Sequence, residues 1–309
     1  MPISIKSDRL LVEMYSPEDG LITTRFDRAA HIFNIELDGK HRFCVPEQRL
    51  PERVTSNGYG LCNEFVWPEL SLESKAGERF PKLGVGILTQ PEDNKPFSFF
   101  DAYESELATL DISGRQDRVV ITHEMPLCRG VGARIYRKAV VQENNLFLHT
   151  TIENTGTRAL DLSEYNHNFV AIDDLPVGPG YHLYVPFDKK LADIDGAGFT
   201  IGARNPVPGF VVMEKENYIT WTRPADGLSW FKRSEEADIR LMAGYHWRLS
   251  HDHSPAWIRE SQSFAPGAFA FWGVEHTICP EIFIKINVAP GQRQAWTRIW
   301  TFGCREGDA

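Results

Sequence analysis

Short runs rich in Val, Ile, Phe, Tyr and Thr recur along the chain between Gly, Pro, Asn and Asp, and few windows carry a helical apolar stripe. The spacing predicts strands over Arg118 to His123, Ala133 to Val141, Leu146 to Glu153, Ile282 to Val288 and Ala295 to Phe302. Glu143-Asn144-Asn145 predicts a hairpin connection, and Asn154-Thr155-Gly156 a turn that closes the following strand. The pattern is all-β. There is no low-complexity linker, no charge block and no short repeat, so a single domain over 1–309 is expected. That many strands cannot share one flat sheet, and two large packed antiparallel sheets are the natural outcome. A β-propeller is disfavoured by the missing repeat.

Composition changes this picture only by exclusion. With 42% hydrophobic and 12% aromatic residues, the 309-residue chain can bury a large core. A net charge of -9 and an isoelectric point near 5.6 repel a polyanion, and no Lys/Arg-rich run makes a local exception, so nucleic acid is not expected as a partner. No stretch approaches the roughly 20 apolar residues that cross a bilayer. Lys6, Asp8, Arg9 and Glu13 interrupt the first apolar positions, which reads as a cytoplasmic protein rather than a secreted one. The five cysteines form no Cys-x-x-Cys pair, which fits reduced thiols better than a disulfide framework or a zinc site.

Two segments break the apolar rhythm with groups that can move protons. Glu164-Tyr165-Asn166-His167-Asn168-Phe169 sets an imidazole among amides and a phenol. Such a His is either a structural group satisfied inside a sheet or a proton donor near neutral pH. Glu275 follows the apolar run Phe269 to Trp272, and Glu281 is a second carboxylate nearby. Glu275 is either an edge-strand carboxylate facing water or a partly desolvated general base. The cluster His246, His251, Asp252 and His253 contains a His-x-His element but no fourth ligand at a defined spacing, so no metal is expected. Gly58-Tyr59-Gly60 reads as a tight turn rather than a nucleotide loop.

The run Ile152 to Gly156 followed by Tyr165-Asn166-His167-Asn168-Phe169 resembles the aldose 1-epimerase (galactose mutarotase-like) family. So does Val274 to Glu281 followed by Ala289-Pro290-Gly291 and a strand ending at Phe302. Arg25-Phe26-Asp27, Leu37 to His41, Glu64-Phe65 and Gly77 to Gly86 are similar to a divergent branch of mutarotase-like proteins, so the likeness covers most of the chain. It implies a galactose mutarotase-like β-supersandwich of large antiparallel sheets with a sugar in an open groove. It also implies His167 as general acid at the ring oxygen and Glu275 as general base at the anomeric hydroxyl, with no cofactor. Asn63, Glu64, Lys82, Tyr165 and Asn168 are the expected sugar contacts.

Departures fall among those contacts. Asn63-Glu64 stands where the family carries an Asn-Arg pair, and Pro81-Lys82-Leu83-Gly84 where it carries a second His, with Lys82 as its replacement. A carboxylate for a guanidinium inverts the local charge and donor pattern, so a sugar other than simple galactose or glucose is expected. The leading expectation is an isomerase that exchanges sugar anomers. The alternative is a non-catalytic carbohydrate-binding or regulatory protein on the same fold; a polysaccharide lyase is disfavoured by the missing helical domain.

Overall fold

The computed structural model describes residues 2–20, 23–49, 58–185, 210–213, 218–225, 229–234 and 246–305. Its first third holds β1 (Ile3–Lys6), β2 (Leu10–Met14), β3 (Ile32–Leu37), β4 (His41–Arg42), β5 (Gly60–Val66), β6 (Arg79–Lys82), β7 (Gly86–Thr89) and β8 (Ser105–Leu107). The middle holds β9 (Thr109–Arg115), β10 (Arg118–Cys128), β11 (Val131–Gln142), β12 (Asn145–Asn154), β13 (Leu160–Phe169), β14 (Tyr181–Tyr184), β15 (Phe210–Met213) and β16 (Tyr218–Trp221). The last part holds β17 (Ser229–Ser234), β18 (His246–His251), β19 (Ser254–Gln262), β20 (Ala268–Val274), β21 (Thr277–Val288) and β22 (Arg293–Cys304). Every strand expected from the alternation lies within one of these elements. Among the described residues no helix is long and apolar enough to cross a membrane.

The strands form a 9-stranded sheet ordered β1-β2-β3-β5-β13-β21-β20-β17 with β4 on β3, a 10-stranded sheet ordered β15-β16-β14-β18-β19-β22-β12-β11-β10-β9, and a 3-stranded sheet β6-β7-β8. Among the described residues all strand pairings are antiparallel, and one hydrophobic cluster draws Ile35, Leu61, Phe269 and Ile282 from the first sheet and Leu148, Trp247, Ile258 and Trp300 from the second. The two large sheets therefore pack face to face, as the supersandwich expectation requires. The predicted hairpin is tight: Gln142 pairs with Asn145, and Glu143 takes a positive φ of 53°. Asn154 closes the next turn by accepting from the Gly156 amide and donating to the Arg158 and Val288 carbonyls. Gly60 opens β5 at φ 57°, and a side chain there would meet the Ile32 carbonyl at 2.3 Å, so only glycine fits.

Burial along β13 marks the stretch that carries the candidate site residues. Its first half alternates, Leu160 and Leu162 inward and Asp161 outward, but from Glu164 to Phe169 both faces are covered. The inward side is polar there. Arg298 reaches Glu164 at 2.7 Å and Glu260 at 2.8 Å, and Glu260 also accepts from Trp247 Nε1 at 2.8 Å and Asn168 at 3.0 Å. Arg137 holds Asp27 at 2.7 Å and faces Glu164 at 3.6 Å. These five charged side chains are at most 1% exposed. Burial pushes the Glu260 carboxyl up while Arg298 and its other partners pull it down, and the net direction is upward.

Because each guanidinium in this chain of charges neutralises fully buried carboxylates, removing one should cost more than an exposed ion pair is worth. Arg298→Met leaves Glu260 without its cation and Glu164 with only the longer Arg137 contact, and is expected to lower stability by about 3–5 kcal/mol. Urea unfolding at neutral pH measures this; a loss below about 1 kcal/mol, the scale of an exposed pair, contradicts it.

Candidate active site

The outward face of β13 carries Tyr165, His167 and Phe169, and its two neighbours supply matching rows. Against β5, Tyr165 pairs with Glu64 and His167 with Cys62. Against β21, the register runs from Tyr165 opposite Phe283 to the isolated bridge of Val170 with Ile278, so His167 falls opposite Glu281 and Phe169 opposite Cys279. On β20, Ala268 and Ala270 keep the surface low beside Phe283 and Tyr165. The imidazole lies flat on Phe169, ring centroids 5.0 Å apart and 1° between planes, and takes the edge of Phe26 at 5.3 Å.

The imidazole has partners on both nitrogens. Nδ1 lies 2.6 Å from Glu281 Oε1, with Cys279 Sγ at 3.5 Å from both groups. Nε2 lies 2.8 Å from the Tyr165 hydroxyl and 2.8 Å from Arg25 Nη2. A guanidinium can only donate, so the Arg25 contact asks for a lone pair on Nε2 and a ring proton on Nδ1, donated to Glu281, whereas the Tyr165 hydroxyl, its one proton given to Glu64, can only accept from Nε2; the Arg25 and Glu281 contacts together favour the Nδ1–H form. Burial presses the His167 pKa down, Glu281 pulls it up and Arg25 pushes it down again; the balance stands above the ordinary value. An imidazolium would set an N–H against an Arg25 N–H at 2.8 Å, so the Arg25 contact opposes the charged ring that Glu281 favours.

Glu64 is the second hub. Its Oε2 accepts from Arg25 Nε at 2.7 Å and from the Tyr165 hydroxyl at 2.6 Å, and its Oε1 faces Lys82 Nζ at 3.4 Å. Lys82 also donates to the Phe65 carbonyl at 2.8 Å and lies under the Phe97 ring, while the Arg25 guanidinium lies under Phe99. Burial raises the Glu64 pKa, but Arg25 and Lys82 outweigh it and hold the carboxyl well below the usual range. Burial lowers Lys82 more than Glu64 raises it. Tyr165 is pushed well above the ordinary phenol, by burial first and Glu64 next. A cavity of about 260 Å³ opens over these groups, lined among others by Arg25, Glu64, Trp67, Lys82, Phe97 and Tyr165.

The structure thus gathers four of the seven expected site residues: Glu64, Lys82, Tyr165 and His167. Glu275 is not among them. It occupies the two-residue turn between β20 and β21, where Val274 pairs with Thr277, and its side chain is 55% exposed beside His276. The carboxylate brought to the imidazole is Glu281. Asn63 and Asn168 are buried on the inward face, where Asn63 Oδ1 accepts from Asn166 and Asn168 joins Glu260, the Pro280 carbonyl and Trp300. They brace the sheets and do not line the groove. Arg25, missed as a site residue, restores a guanidinium beside Glu64 from a segment outside any strand. In the His-x-His segment, His251 is buried and its Nδ1 accepts from the His253 amide at 3.0 Å.

Among the described residues, His167, Cys279 and Glu281 form a cluster of metal-ligand type, with ligand atoms within 4.8 Å of one another. Their distances also satisfy hydrogen bonds among a thiol, an imidazole and a carboxylate without an ion. Burial, followed by Glu281, holds the Cys279 thiol well above its ordinary pKa, which disfavours the thiolate that a metal takes.

No protein-family model matches the chain, and no curated protein does either. Solved structures match its fold. A putative aldose 1-epimerase from Escherichia coli K12 superposes with a TM-score of 0.60 at 12% identity, covering 98% of this chain and 99% of the other. A galactose mutarotase-like protein from Lactobacillus casei ATCC 334 gives 0.59 at 14% identity, covering 98% and 100%. One from Clostridium acetobutylicum gives 0.54 at 10% identity, covering 98% and 95%. At these identities the likeness is one of fold, and the fold is galactose mutarotase-like.

The Glu64 pKa is lower folded than unfolded, so its ion pairs add stability that is complete above the unfolded value near 4.5 and fades as pH falls below it. Glu64→Gln removes this contribution. Urea midpoints measured against pH should therefore fall less steeply below about pH 4.5 in the variant than in the wild type. Equal slopes would show that Glu64 titrates normally in the folded chain.

Proposed function

We propose that the chain binds a sugar in the groove over Tyr165, Glu64 and Lys82 and interconverts its anomers, with His167 and Glu281 as the proton-transferring pair. The observation that carries this reading is the 2.6 Å contact of His167 Nδ1 with Glu281, directly behind Arg25 and Tyr165, which line the groove and touch His167 Nε2. Anomer exchange needs a base to take the proton of the anomeric hydroxyl while an acid protonates the ring oxygen. The C1–O5 bond then breaks to an open-chain aldehyde, which turns about C1–C2 and closes on its other face, the two groups exchanging roles. Protons and atoms balance within the sugar and the pair, and the chemistry consumes no cofactor. Glu281 is the base in this scheme; as Arg25 draws back, His167 first takes a proton from solvent on Nε2, and the imidazolium so formed gives that proton to the ring oxygen and recovers it on closure. Glu64, Lys82 and Tyr165 offer acceptors and donors to sugar hydroxyls, and Phe97, Phe99 and Trp67 offer apolar faces to its C–H bonds.

A second reading is favoured by one observation: both nitrogens of His167 are already engaged, and Arg25 with Tyr165 stands between Nε2 and the cavity. A groove that keeps its imidazole saturated is a binding site without turnover.

The two readings separate on a panel of freshly dissolved aldoses, deoxy sugars and amino sugars followed by polarimetry or exchange NMR. For a sugar that is turned over, Glu281→Gln and His167→Asn are each expected to lower the rate by about 10²- to 10⁴-fold, and the double variant by much less than the product. Glu275→Gln should retain the wild-type rate. Saturable sugar binding with no exchange above the spontaneous rate supports the binding reading, and loss of exchange in Glu275→Gln, with circular dichroism unchanged, overturns the assignment of Glu281.

A further inference from the structure

We propose that Arg25 is a positioning residue for His167, holding it as the Nδ1–H tautomer with the Nε2 lone pair toward Arg25, and that the buried Asp27–Arg137 pair seats Arg25. The segment carrying Arg25 belongs to no strand, yet it is fastened at every step. The Asp27 amide donates to the Asn63 carbonyl on β5 at 2.8 Å, and the Arg28 amide to the Gly84 carbonyl at 2.9 Å. The Asp27 carboxylate accepts from the Ala29 amide at 2.9 Å, from Arg137 on the opposite sheet at 2.7 Å, and contacts His123 at 3.3 Å. Asp27 and Arg137 are both fully buried. Two residues earlier, Arg25 is spread over three partners of the site, with Nε on Glu64 and Nη2 on His167 and, at 3.3 Å, the Tyr165 hydroxyl, while Nη1 faces Glu47 at 3.5 Å.

The groups around the imidazole divide the work. From β21, Glu281 and Cys279 face Nδ1; from β5, Glu64 and the cross-strand partner Cys62 lie alongside; from β13 itself come Tyr165 and Phe169; and the Arg25 segment adds Arg25 and Phe26. Of these only Arg25 is a cation. Glu281 and Glu64 both favour a charged ring, while burial and then the guanidinium oppose it, and of the two opposing influences only the guanidinium can be withdrawn by a side-chain movement. A sugar that draws Arg25 off Nε2 leaves an imidazole flanked by two carboxylates, ready to take up a second proton and deliver it. The kinetic side of this inference rests on the anomer-exchange reading; the tautomeric side does not.

Long-range nitrogen–proton NMR on the full-length, ¹⁵N-labelled protein tests both sides. The wild-type spectrum, which needs no variant, should show His167 as a neutral ring protonated on Nδ1; a neutral ring protonated on Nε2 overturns the proposal. Arg25→Gln removes the cation and should raise the His167 titration midpoint by about one to three pH units, the range for a charge at this distance. Arg25→Lys keeps the charge and should shift it less. An unchanged midpoint in Arg25→Gln overturns the proposal. Asp27→Asn should move the His167 signals in the same direction as Arg25→Gln, whereas a part confined to stability would lower the melting temperature and leave them in place. If these shifts appear and no sugar is turned over, the positioning role stands and the anomer-exchange reading fails.

Discussion

The arrangement on which the rest depends is the row of alternating charges sealed between the two large sheets: Asp27, Arg137, Glu164, Arg298 and Glu260. Each lies in a place where a lone charge would be prohibitively costly, and each has a neighbour of opposite sign. Such a row tolerates no slippage. Moving β13 by one residue would turn Glu164 out of the row and put an uncompensated guanidinium against an apolar layer, so the pairing fixes strand register more firmly than side-chain volume alone. Apolar residues of similar size would pack at least as well; what the ions add is a single alignment of the sheets.

That alignment has a direct consequence on the other face. Because successive side chains on a strand point to opposite sides, seating Glu164, Asn166 and Asn168 inward compels Tyr165, His167 and Phe169 outward. The pleat of β5 does the same for Glu64 and Cys62, and that of β21 for Glu281 and Cys279. The face that carries the candidate site is the reverse side of the ionic core. Asp27 ties the two together, since one buried carboxylate both joins the core and anchors the segment that lays Arg25 across Glu64 and His167.

The sheets were legible in the sequence because half-buried strands leave a period of two, and five predicted strands fall inside β10, β11, β12, β21 and β22. Part of the site was legible for the same reason, and part of the misreading was avoidable. Asn168 cannot share a face with His167, nor Asn63 with Glu64, because adjacent residues on a strand never do. Glu275 and Glu281 are harder to separate. Both are odd-numbered, both follow apolar runs, and the two-residue turn that exposes Glu275 became visible only with the pairing of Val274 and Thr277. Arg25 left no periodic signal at all: its place depends on contacts with residues 39, 140 and 142 positions away.

The replacement of a cation by Glu64 at the expected sugar-binding position is therefore not a simple inversion of charge. Lys82 and Arg25 both converge on that carboxylate, so the groove presents a neutralised cluster whose donors and acceptors already satisfy one another. A ligand entering it exchanges hydrogen bonds rather than adding them, and such exchanges contribute little net free energy when they match and cost about 1–3 kcal/mol for each buried group left without a partner. For a ligand bound there as proposed, selectivity comes from completeness of the match. The ligand must offer acceptors to Arg25 and Lys82 and a donor to Glu64 at once, and a polyhydroxylated ring carries both kinds of group on neighbouring carbons. A compound that meets only one of those demands leaves a buried charge exposed to nothing, which is a stronger discrimination than any gain from the contacts it does make.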